Sequence, residues 1–138
     1  MLNYCVKQWE KNKENLREAF KKQQVGGDYE AFGRIIIENI FPEWRDYELD
    51  AHYYGDYQGD VVYFIHSAGD SCHDLFLSLL SYGSCSVCDS LLNAEEVGEE
   101  EGDDARVHDL MKLALSFIQS MTHPYYSPWT AMYDESCR

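Results

Sequence analysis

Tyr47-Glu48-Leu49-Asp50-Ala51-His52-Tyr53-Tyr54, then Gly55-Asp56-Tyr57-Gln58-Gly59, then Val61-Val62-Tyr63-Phe64-Ile65, is the stretch that decides the fold. Tyr47, Leu49, Ala51 and Tyr53 alternate with Glu48, Asp50, His52 and Tyr54, the period of a half-buried strand. The glycine-bounded five-residue segment reads as a turn, and the β-branched and aromatic run after it reads as a second, more buried strand. The two form an antiparallel hairpin. Ser67-Ala68-Gly69-Asp70 ends it, and Leu75-Phe76-Leu77-Ser78-Leu79-Leu80 is short enough, and close enough to the turn signal Tyr82-Gly83, to be a third strand.

Upstream the period changes. Leu2, Val6, Trp9, Leu16 and Phe20 recur at helical spacings of three, four or seven. Val25-Gly26-Gly27 breaks that pattern, Asp28 is placed to cap a second helix carrying Tyr29, Phe32, Ile36 and Ile40 on one face, and Pro42 stops it. Downstream, Leu91, Leu92 and Glu95 suggest a short helix. It runs into Glu95-Glu96-Val97-Gly98-Glu99-Glu100-Glu101-Gly102-Asp103-Asp104, a charge run expected to be a mobile, solvated loop. Asp103 and Asp104 suit the N-terminal end of a final helix, in which Val107, Leu110, Met111, Ala114, Ile118 and Met121 form a broad stripe up to Thr122-His123-Pro124. Helices grouped before a hairpin-connected sheet indicate an α+β fold: two N-terminal helices, a three-stranded antiparallel sheet, and a C-terminal helix packed on the sheet.

Composition bounds the function. At 138 residues and 45% hydrophobic, the chain suits a single domain spanning residues 1–138, with 124–138 as an aromatic C-terminal tail. No apolar run is long enough for a membrane span and no signal peptide is evident, which makes a cytoplasmic protein the expectation. A formal net charge of −14 disfavours direct nucleic-acid binding and favours basic partners. Five cysteines without an export signal argue for reduced thiols or a metal rather than a disulfide framework.

The chemistry-bearing motif is Tyr82-Gly83-Ser84-Cys85-Ser86-Val87-Cys88-Asp89. Ser86 and Asp89 have capping-box spacing, which would set the two thiols at a helix N-terminus, where the helix dipole favours a thiolate. Cys85 and Cys88 are the candidate metal ligands. Zinc needs four ligands, however, and Cys72, His73 and His66 complete no familiar pattern while Cys5 and Cys137 are remote. Redox chemistry and simple turn packing are the other readings of the pair. Asp50, His52, Asp56 and Asp60 could support acid–base work, but aspartates in a glycine-flanked turn ordinarily bond local amides. No catalytic residue is assigned, and no cofactor is expected apart from the zinc alternative.

The succession of the Gly55–Gly59 turn, the Cys85–Cys88 loop and Leu110-Met111-Lys112-Leu113-Ala114-Leu115 resembles a family of small, mostly uncharacterised bacteriophage proteins. Their hallmarks are a GDYQG turn, a YGSCSGCD loop followed by Thr-Leu-Gln, and an LMxLAL helix. The match runs over roughly residues 4 to 122 in the same order and spacing. Val87 stands where the family usually has glycine, and Leu92 where it often has glutamine. The resemblance implies a phage protein acting in the cytoplasm of a bacterial host. Together with size, acidity and the tail, it points to a non-enzymatic accessory protein that binds a host protein, possible homo-oligomers included. An inhibitor of a defence system, of anti-CRISPR or anti-restriction type, is the leading reading, with a nucleic-acid-binding host protein as a candidate target. The alternatives are a zinc- or thiol-dependent site at Cys85 and Cys88, and a sponge for a small defence-signalling molecule. The candidate binding loops are Asp56, Tyr57 and Gln58 with Tyr82, Ser84, Cys85, Ser86, Cys88 and Asp89. The candidate partner surface is Glu95, Glu96, Glu99, Glu100, Glu101, Asp103 and Asp104, with Tyr125, Tyr126 and Trp129 of the tail as aromatic anchors.

Overall fold

The computed structural model describes residues 2–44, 46–68, 73–84 and 89–123. In chain order its elements are α1 (Leu2–Lys22), α2 (Tyr29–Ile40), β1 (Glu48–Gly55), β2 (Gly59–Ala68), β3 (His73–Tyr82), α3 (Ser90–Glu101) and α4 (Asp103–Gln119). The strands form one antiparallel sheet in the order β1-β2-β3. The architecture is the α+β arrangement that the change of period implies, and the short helix after the cysteine motif is longer than Leu91, Leu92 and Glu95 suggested.

Register divides the sheet into two faces. Leu49, Ala51 and Tyr53 lie opposite Ile65, Tyr63 and Val61, which lie opposite Phe76, Ser78 and Leu80. This face meets the helices, and Val61, Tyr63 and Ile65 are fully buried there. The alternate residues Val62 and Phe64 are only half-buried, so β2 alternates as β1 does instead of being buried on both sides. At the centre Tyr63 packs edge-on against Phe117 of α4 and donates to the Tyr29 carbonyl of α2 at 2.7 Å. Gly33 makes this approach achievable: a Cβ there would lie 2.7 Å from the Tyr63 ring, closer than real contacts permit. A second aromatic group, Phe41, Trp44 and Phe76, stacks with ring centroids 4.1 and 4.8 Å apart and fastens the α2–β1 connection to β3.

Helix α1 follows its apolar spacing, although the buried stripe is Cys5, Trp9, Asn12, Leu16 and Phe20, and Val6 is 48% exposed. Asp28 caps α2 as its position implies, accepting from the Ala31 amide.

Four polar residues are buried among the described residues, and each serves a helix end. Asn12 donates to the Ile40 carbonyl at the end of α2, and Ser78 to the Phe117 carbonyl near the end of α4. Arg106 donates to the Phe20 and Gln23 carbonyls at the end of α1. Asp89 accepts from the first amides of α3. Helix ends expose amides and carbonyls with no partner of their own, and inside a core those groups must be answered by side chains.

Three expectations need correction. The acidic run is not a solvated loop: Ser90–Glu101 is continuous helix, and Gly102 alone separates it from α4. Glutamate has good intrinsic helix propensity, and the apolar Leu91 and Ala94 anchor the helix on the core. Helix α3 is capped by Asp89 and not by Ser86. Helix α4 stops at Gln119, and Thr122 instead forms a β-bridge with Leu77.

Candidate functional site

The Gly55–Gly59 turn and the described flanks of the cysteine motif, residues 82–84 and Asp89, lie at the same end of the sheet. Gly59 pairs with Tyr82 in the β2–β3 register, and the Tyr82 hydroxyl donates to the Asp56 carbonyl at 3.4 Å. The turn is tight because Gly55 has φ 129 and pairs directly with Gly59, where a Cβ would lie 2.0 Å from the Tyr54 carbonyl oxygen. Tyr57 at its tip is 83% exposed, and Tyr53 and Tyr54 beside it are about half exposed. Tyr53 packs edge-on against both Tyr82 and Tyr29.

Asp89 holds this end together. One carboxylate oxygen accepts from the Tyr29 hydroxyl at 2.6 Å and from the Leu91 and Leu92 amides at 3.0 and 3.1 Å; the other accepts from the Gly83 amide at 3.0 Å. A single buried carboxylate thereby joins α2, the end of β3 and the start of α3. Burial, reinforced by the bond to Asp89, pushes the Tyr29 phenol well above its ordinary range. Burial does the same to Tyr63. With all four bonds directed inward, Asp89 is a structural clamp rather than an exposed binding group.

Asp56, Tyr57 and Gln58 are exposed in the turn, and Ser84 is exposed at the end of Tyr82-Gly83-Ser84. Cys85, Ser86 and Cys88 lie outside the described residues, as do Tyr125, Tyr126 and Trp129. Asp50 and His52 fall on the sheet face away from the helices, opposite Phe64 and Val62. Asp60 accepts from the Ser81 hydroxyl at 3.4 Å. Cys5 is buried in α1, remote in the fold from the motif end. Among the described residues no group of three or more His, Cys, Asp or Glu side chains could hold a metal ion.

The acidic residues converge instead. Glu96, Glu99, Glu100 and Glu101 are exposed on α3, and Asp103 and Asp104 are exposed in the first turn of α4. Among the described residues none of Glu96, Glu99, Glu100, Glu101 and Asp104 forms an ion pair. Glu95 and Asp103 turn toward Arg106, at 3.8 and 2.8 Å. Arg106 is 3% exposed and crosses α3 at Gly98, where a Cβ would lie 2.8 to 2.9 Å from its side chain. It therefore ties the acidic corner to the end of α1. Sequence reading missed Arg106; the signal available was Gly98 inside a run of helix formers, which marks a close approach.

The chain matches no family model, no curated protein and no solved structure. No helix among the described residues is long and apolar enough to cross a membrane.

Proposed function

We propose that this protein is a non-enzymatic acidic binding protein whose α3–α4 corner engages a basic surface on a partner protein. The observation that carries the reading is the conversion of the acid run into a held helical ridge. A mobile loop would pay conformational entropy on docking, whereas a ridge pinned through Arg106 presents its carboxylates already ordered. Unpaired acids at the surface raise the local negative potential, which speeds encounter with cationic surfaces and rejects anionic ones. The resemblance to phage proteins supports a partner in a bacterial host. A surface that ordinarily holds nucleic acid has the required positive charge, and blocking such a surface in a defence system is the corresponding biological role.

The test is co-purification. Tagged protein is recovered from bacterial lysate at low and moderate salt beside a variant carrying Glu96→Gln, Glu99→Gln, Glu100→Gln, Glu101→Gln and Asp104→Asn. The reading expects a stoichiometric basic protein with the parent chain, lost as salt rises and absent from the variant. The same proteins recovered with both chains, or none with either, would overturn it.

A further inference from the structure

The two edges of the sheet are treated differently. On β3, Leu77 exchanges both backbone hydrogen bonds with Thr122 at 2.8 Å, and the Ser120 hydroxyl bonds the Leu79 amide and carbonyl at 3.0 and 3.1 Å. That edge is closed by the chain leaving α4.

Strand alternation then fixes the groups on the opposite edge. Leu77 turns its amide and carbonyl outward, so it exchanges no bonds with Phe64 across from it, and Phe64 exchanges its bonds with Asp50 on the other side. On β1 the residues whose amides and carbonyls face outward are consequently Leu49, Ala51 and Tyr53. Arg34 takes the Leu49 carbonyl at 3.1 Å. Among the described residues nothing takes the outward amides and carbonyls of Ala51 and Tyr53. Unpaired strand edges are templates for another strand, and proteins ordinarily block them, as this one does on β3.

The surroundings of the open edge are acidic. The Tyr29 ring, next to the cap residue Asp28, packs edge-on against Tyr53, and Arg34 reaches both the Leu49 carbonyl and Glu30, so Asp28 and Glu30 stand on the helix side of the edge. Asp50 lies on the other face of β1. The one cation identified beside the edge, Arg34, is answered by Glu30 at 2.9 Å. A second copy would bring its own net charge of −14 against the first, which disfavours self-pairing.

We propose that the outer edge of β1 at Ala51 and Tyr53 accepts an extended segment of a partner protein bearing Lys or Arg at alternate positions, by strand addition. Main-chain bonds supply affinity, and because alternate residues of a strand share one face, the cations meet the exposed Glu48 and Asp50 on the outer face of β1. This surface is separate from the α3–α4 ridge.

The experiment follows backbone amide exchange in the full chain, with a short blocked peptide of alternating Lys and Val as the probe. In the free protein the Ala51 and Tyr53 amides should exchange rapidly, and the peptide should slow them by about tenfold or more, the expectation for strand addition. Ala51→Pro removes an outward amide that β2 does not use and should abolish binding. A peptide of identical charge, N-methylated at alternate residues, should also fail, which keeps the test independent of whether that variant folds. The ridge variant described above should still bind. Slow exchange at Ala51 and Tyr53 before any peptide is added would show the edge already occupied and overturn the proposal. Equal binding of the methylated peptide would overturn it too. Peptide binding that is lost in the ridge variant and leaves Ala51 and Tyr53 unchanged would also overturn it, while leaving the ridge reading standing.

Discussion

Asp89 and Arg106 are both buried charges at helix ends, yet they answer opposite ends. Asp89 caps the helix that begins at the next residue and draws in Tyr29 and Gly83, whereas Arg106 reaches back to Phe20, 86 positions earlier in sequence. Asp89 opens its own helix while holding α2, 60 positions earlier, and Arg106 closes a helix 86 positions earlier. The contrast shows that this small domain controls its polar groups by pairing oriented helix ends with charges of the matching sign: the anion at an N-terminus, the cation at a C-terminus. It also explains how so acidic a segment can be part of the folded unit, since Arg106 is the residue that joins α3, α4 and α1.

Substitutions should separate the two clamps. Asp89→Ala should destabilise most, by about 3–5 kcal/mol in urea denaturation, because it strands three amides at once and leaves the Tyr29 hydroxyl only the Ser81 carbonyl. Arg106→Met keeps the volume but leaves the carbonyls of Phe20 and Gln23 without that donor, and should cost about 2–4 kcal/mol. If Arg106→Met proved the more damaging, the order of the two clamps would be reversed. Tyr29→Phe removes one bond of the Asp89 set and should cost about 1–2 kcal/mol. Asp28→Ala, a simple exposed cap, should cost about 1 kcal/mol by the same assay.

A pH titration sharpens the comparison from the tyrosine side. Burial and the bond to Glu38 push the Tyr47 phenol from 10.0 to about 12. A raised folded value means that the folded state holds the proton more tightly, so the contribution is complete below pH 10 and lost as pH rises toward 12. Tyr29 and Tyr63 are raised further and act in the same direction. Stability should therefore fall on the alkaline side, and Tyr47→Phe should flatten the fall; an unchanged slope would remove Tyr47 as its source.

Much of the fold was legible because it rests on periodicity. Alternation gave the hairpin, the three-four spacing gave α1, α2 and α4, and Asp28 and the glycine-bounded turn marked their own boundaries. Legibility ended where partners lie far apart in sequence. Asn12 with Ile40, Ser78 with Phe117 and Arg106 with Phe20 leave no local pattern, because each donor is chosen by where another helix happens to stop. The acidic run was misread for a related reason: charge density suggests solvation, while the features that hold it as helix are Leu91, Ala94 and a cation on the next element. At the motif end, sequence located Asp89 and a third strand over residues 75–80, which the structure extends through Tyr82. The four inward bonds that turn Asp89 from a binding candidate into a clamp depend on Tyr29, which sequence places a whole sheet away.

The central claim is that Glu95–Glu101 forms a fixed helical ridge held through Arg106. Hydrogen–deuterium exchange across residues 90–104, in the parent chain and in Arg106→Met, tests it most directly. The account predicts slow exchange over α3 in the parent chain and markedly faster exchange over the same amides once Arg106 is gone. Exchange at the rate of an unstructured chain in the parent protein would contradict it.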